Sequence, residues 1–205
     1  MIPNEVNVVI KNVWPMLILF IIVLVSVRIV DIIINKKEFI FYKELSMLIF
    51  LIYMFLLFEL VTTTDFESFS NNFIPFKEIM RYPYNSSLFY KNVLGNVLLF
   101  VPFGYFVNNK LKNKSIIINI FMTLVTSLSI EIIQMNIGRS FDIDDIILNL
   151  LGGIIGYIIY RIFSFIKNKL PKVLNKNWFF NILWIILMIL GTLFLLNYYG
   201  LLEVL

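Results

Sequence analysis

Six apolar stretches, separated by short polar connections, set the rhythm of this chain. They run over Met16–Asn35, Leu45–Val61, Asn92–Asn109, Ser115–Ile137, Asp142–Ile166 and Trp178–Tyr199. Each approaches the about 20 residues that a helix needs to cross ~30 Å of hydrocarbon. No basic leader with an A-x-A-like cleavage site precedes the first stretch, so it is expected to be retained as a span. Trp14-Pro15 is expected to anchor at the interface and to start that helix. The expected fold is all-α: an integral membrane protein forming a polytopic bundle of about six transmembrane helices, one membrane domain over residues 1–205. Residues 62–91, with Phe66, Phe69, Phe73 and the Arg81-Tyr-Pro-Tyr84 run, read as a long loop lying on the membrane surface.

The polar residues inside the apolar stretches are not scattered. Glu131 and Gln134, three apart, share a face near the end of the fourth span. Asp142, Asp145 and Asn149 recur on one face of the fifth, with Asp144 beside them, and Gly138 and Arg139 lie between the two spans. The third span carries Asn92 and Asn96 at its start and Pro102 and Gly104 at its middle. A proline there implies a kink whose freed carbonyl a neighbouring helix re-satisfies. Charged and amide groups at membrane depth are costly and are candidates for function. The blander reading is a polar network locking spans three to five together, with Asp142 capping the fifth span and Asp142, Asp144 and Arg139 wet. That reading fits Glu131 poorly. Arg28 and Asp31 read as a local ion pair, Gly152–Gly156 as a close helix-packing face, and Ser127 and Ser129 as hydrogen-bonded to their own helix or a neighbour.

Composition agrees with the pattern. Of 205 residues, 60% are hydrophobic and 15% charged, against near half and a quarter in soluble domains. The absence of cysteine and histidine leaves carboxylates, amides, hydroxyls, Arg, Lys and Tyr to carry any chemistry. Connections 35–44, 108–115 and 161–177 hold three, three and five Lys or Arg; the N-terminus, 62–91, 138–144 and the C-terminus hold one, three, one and none. Eleven against five places the first set in the cytoplasm and both termini outside. The net charge of +4, spread over these loops, does not point to nucleic acid. On this topology Asn96, Glu131 and Asn149 lie about 6–10 Å below the outer surface. Glu59 falls in the same leaflet, and Arg139 with Asp142–Asp145 roofs the level. The expectation is a polar pocket open to the outer face of a bacterial plasma membrane.

Two blocks, Asn92–Phe106 and Ser127–Tyr157, carry a resemblance. The second contains Glu131-x-x-Gln134 and Arg139-x-x-Asp142-x-x-Asp145-x-x-x-Asn149-x-x-Gly152. With Asn72-Phe-Ile-Pro-Phe76 ahead of them, they resemble the VanZ-like family over residues 70–160, leaving the first and last spans outside. The resemblance implies a small polytopic bacterial membrane protein linked to low-level resistance to teicoplanin and related lipoglycopeptides. It carries over Asn96, Pro102, Glu131, Gln134, Arg139, Asp142, Asp145 and Asn149. Glu131, Asp142 and Asp145 are the candidate catalytic carboxylates, Glu131 as general acid or base. Asn96, Gln134, Arg139 and Asn149 are the candidate binding groups, Arg139 holding a phosphate or carboxylate. Asp142 and Asp145 are also a candidate pair for a divalent cation. The expected partners are membrane lipids and a glycan or lipid-linked envelope component. Three readings stay open: a protein that recognises or modifies that component, a non-catalytic binder or scaffold shielding it, and a transporter.

Overall fold

The computed structural model describes residues 4–63, 71–112, 115–171 and 174–198. Phe66, Phe69 and Tyr199, named above, lie outside the described residues. The regular structure among the described residues is helical: α1 (Asn4–Ile34), α2 (Phe41–Thr63), α3 (Lys77–Arg81), α4 (Ser87–Phe89), α5 (Gly95–Leu111), α6 (Ile116–Asn136), α7 (Ile143–Lys169) and α8 (Asn177–Tyr198). A wider π turn, Tyr90–Leu94, joins α4 to α5. Among the described residues, four segments are long and apolar enough to cross a membrane: Val13–Ile34 in α1, Phe41–Glu59 in α2, and all of α6 and α7. The described apolar part of α8, Asn177–Leu193, is shorter, and α5 has 17 residues.

Two expectations change. Helix α1 does not start at Pro15; it begins at Asn4 and runs through the proline. Pro15 lacks the N–H that would bond one turn back and its ring crowds the carbonyl there, yet the turns on either side carry the helix past it. The 62–91 connection is not simply a loop. It contains α3, and the Ser86 hydroxyl accepts the Phe89 N–H (3.0 Å) and caps α4, so the helical run that leads into α5 begins at Ser87 rather than at Asn92.

The residues form two compact units, 1–19 with 50–165 and 20–49 with 166–205. In the first, Leu57, Phe100, Phe103, Val107 and Ile130 make one apolar cluster, and Val93, Val97 and Leu148 a second. Backbones of α5 and α7 touch where glycine allows it. A Cβ on Gly104 would strike the Gly153 carbonyl, one on Gly152 the Val97 carbonyl, and one on Gly156 the Val101 carbonyl. This is the close approach that small residues permit between membrane helices. The Tyr53 hydroxyl of α2 donates to the Leu99 carbonyl (2.5 Å), beside the one that Pro102 leaves free. In the second unit Arg28 pairs with Asp31 as expected, and also grips Glu44 with two bonds (2.7 and 2.8 Å). Lys37 holds Asp31 from its other side (2.8 and 2.9 Å).

Candidate functional site

The site begins where α6 stops. Gly138, at φ 90°, adopts the left-handed conformation that favours glycine. The Arg139 N–H then reaches the Gln134 carbonyl (2.9 Å) and the Gly138 N–H that of Met135 (3.3 Å), closing a Schellman turn. The chain reverses and delivers Asp142 to the start of α7. There the Asp142 carboxylate accepts the Asp144 N–H (2.9 Å), the N-cap expected of it. The Asp142 N–H in turn donates to Oε2 of Glu131 (2.9 Å), which is 1% exposed. Glu131 is therefore a latch across the turn between α6 and α7.

A second latch comes from the segment ahead of α3. Asn72 exchanges backbone bonds with Phe141 (2.8 Å) and Ile143 (3.0 Å), and its side chain donates to Asp142 (2.8 Å). Phe73 stacks on Phe141, ring centroids 5.2 Å apart. Asp144 accepts the N–H groups of Phe76 (2.5 Å), Glu78 (2.7 Å) and Ile79 (3.1 Å). At 1% exposure it is not the wet acid that the blander reading allowed. The reason is the N-terminus of α3, whose unpaired backbone donors favour a negative charge and are met by this one carboxylate. Asp144 also holds Phe76 at φ 66°, a left-handed backbone that costs about 1–3 kcal/mol in a bulky residue.

Of the expected site residues, Asn96, Glu131, Arg139, Asp142 and Asp145 are brought together. The Asn96 amide donates to Asp145 (2.5 Å). The Asp145 carboxyl lies close enough to Glu131 for their charges to interact, and Arg139 acts on both. Gln134 is buried nearby at 5% exposure. Asn149 is set apart: its amide donates to Ser127 (2.9 Å), joining α7 to α6 one turn below Glu131. Ser129 bonds its own helix at Val125 (2.8 Å). Among the described residues no three acidic, His or Cys side chains converge as a metal-holding set. Three residues that matter were not singled out as site residues from sequence: Asn72, Asp144 and Ser127. The recurrence of Asn119, Thr123, Ser127 and Glu131 every fourth residue was the signal for the last of them.

A model of the VanZ/LLP1 family matches residues 41–165, from the start of α2 to near the end of α7. The chain belongs to the VanZ/LLP1 family. Protein VanZ of Enterococcus faecium is a relative, 31% identical over 120 residues, or 57% of this chain and 73% of that protein. No solved structure matches. The VanZ/LLP1 match contains every candidate site residue, together with the Asn72 and Asp144 latch, and excludes α1 and α8.

Proposed function

We propose that this VanZ/LLP1 protein engages an anionic cell-envelope component, lipid-linked or glycan, at the end of the bundle where α6 meets α7, and contributes to tolerance of teicoplanin-type lipoglycopeptides. The observation that carries the reading is the gathering of Arg139, Glu131, Asp145 and Asn96 where α6 meets α7. Arg139 supplies a planar fork suited to phosphate or carboxylate, and Glu131 or Asp145 a carboxyl able to exchange a proton. In this reading α5 and α8 also cross the membrane, giving six spans with both termini outside, and the site faces outward. The Lys and Arg asymmetry supports that topology.

A specific observation favours the second reading, a non-catalytic binder or scaffold. Glu131 and Asp142 already accept internal hydrogen bonds that fix the turn. One experiment separates the two. Glu131→Gln and Arg139→Lys are measured for abundance, detergent-solubilised melting temperature and teicoplanin susceptibility of cells carrying the gene. A working site gives stable, folded variants with lost tolerance. A structural latch gives variants whose stability and tolerance fall together, and full stability with full tolerance moves the site to other residues. Labelling of Ser140→Cys, but not Asn168→Cys, by a membrane-impermeant reagent in intact cells tests the outward orientation.

A further inference from the structure

Towards the other end of α6 lies a second polar cluster that the candidate site does not use. Asn108 of α5 and Asn119 and Thr123 of α6 are each 0% exposed. Both amides donate to the same acceptor, the Gly104 carbonyl, at 2.7 Å from Asn108 and 3.1 Å from Asn119. Those bonds fix which end of each amide is nitrogen, so both Oδ1 atoms are acceptors aimed elsewhere. Neither Oδ1 has a hydrogen-bond partner, and neither does the Thr123 hydroxyl. The groups surround one crossing. The Gly104 Cα abuts the Gly153 carbonyl, and the Thr123 side chain abuts the Gly153 Cα.

We propose that Asn108, Asn119 and Thr123 bind one water molecule inside the helix bundle. Buried polar groups without partners are costly, and more so where no solvent can reach them. The inventory of the three atoms decides the guest. Two carbonyl oxygens need donors, and a hydroxyl can donate to a lone pair. A water molecule has two donors and a lone pair to spare, which gives three bonds, the usual number for a buried water. A sodium ion would meet three neutral oxygens and no carboxylate of the cluster. The next acid along α6 is Glu131, two turns on, and its Oε2 serves Asp142. Burying an ion without a counter-charge is strongly unfavourable. The water completes the row Asn119, Thr123, Ser127 and Glu131, giving the inner face of α6 a hydrated end remote from the carboxylates. It stands apart from whatever the outer site binds.

The test uses the full chain, isotope-labelled and reconstituted in lipid bilayers, with water-edited solid-state NMR. Magnetisation from water is expected to reach the Thr123 and Asn119 side chains before that of Leu124, which is exposed on the outside of the same helix. In parallel, Thr123→Val and Thr123→Ser are compared by thermal melting. With a bound water, Val loses a bond and melts about 2–4 °C below wild type, while Ser, which keeps the hydroxyl, stays closer. Without one, Val removes an orphaned hydroxyl and melts above Ser, which overturns the proposal. Slow transfer to Thr123 and Asn119 in the wild type also overturns it, and decides the matter if the Val variant does not fold. A melting temperature that rises in sodium chloride but not in choline chloride would identify a cation and overturn it equally.

Discussion

Helices α1 and α6 are both apolar and both long enough to cross a membrane, yet they bury opposite things. Of the α1 span, Val13–Ile34, only Val13 at its start is buried; Ile18, Leu19, Ile22 and Val23 are between 47% and 64% exposed. Helix α6 buries Asn119, Thr123, Ser127, Glu131 and Gln134, with Ile130. Its exposed side is Phe121, Leu124, Val125 and Leu128. In water such a helix would be inside out. In hydrocarbon the arrangement follows from solvation: leucine gains nothing by leaving lipid, whereas an amide or carboxylate gains a partner by leaving it. The contrast teaches that the core of this bundle is marked by its polar and small residues, and that apolar length alone marks contact with lipid.

The sharpest way to break the contrast is to add bulk to each kind of surface. Gly156→Leu forces a side chain onto the Val101 carbonyl of α5, and helices whose backbones touch can only part. The expected cost is about 3 kcal/mol or more, at the upper end for overpacking. Little folded protein should be recovered. Val23→Leu on α1, which is 50% exposed, should leave yield and melting temperature unchanged. Equal stability of the two variants would mean that α7 does not pack through its glycines.

Next in size is the loss of a buried charge. Asp144→Ala strands three backbone N–H groups, and hydrogen bonds to charged groups are worth about 1.5–3 kcal/mol each. Because the segment can partly re-solvate, about 3 kcal/mol in all is expected. Local loosening should show as faster tryptic cleavage after Lys77 and Arg81. Unchanged cleavage would show that α3 is held by something other than this carboxylate.

These two cases also show how far the sequence could be read. The all-helical membrane class was legible because hydrophobic runs of spanning length have few other meanings. The glycine contact was legible in part: the Gly152–Gly156 spacing announced it, but its partners on α5, Gly104 above all, depended on which helix faces which. Glu131, Asp145 and Arg139 were legible as a group because charge at membrane depth is conspicuous. The role of Asp144 was not legible because it is set by amides 65 to 68 positions away in sequence, and no local spacing encodes that. Pro15 misled for a simpler reason. Proline is common at the first turn of a helix, yet α1 extends on both sides of it.

The smallest effect sharpens the contrast most finely, because it compares one residue type on the two helices. Ser26 of α1 donates its hydroxyl to Ile22 of its own helix (2.7 Å). Ser127 of α6 accepts the Asn149 amide of α7 (2.9 Å). Ser26→Ala removes a bond that the helix does not need, and its melting temperature should stay within about 1 °C of wild type. Ser127→Ala leaves a buried amide donor without its acceptor. Hydrogen bonds between membrane helices average about 0.6 kcal/mol and reach about 1.7, which corresponds to about 1–7 °C at about 2–4 °C per kcal/mol. The double variant Ser127→Ala with Asn149→Leu settles whether the bond or the side-chain volume is responsible. If the bond carries the effect, Asn149→Leu should cost less in the Ser127→Ala background than in wild type. If the two losses simply add, the Ser127–Asn149 bond does not help hold α6 to α7, and burial of these groups reflects packing alone.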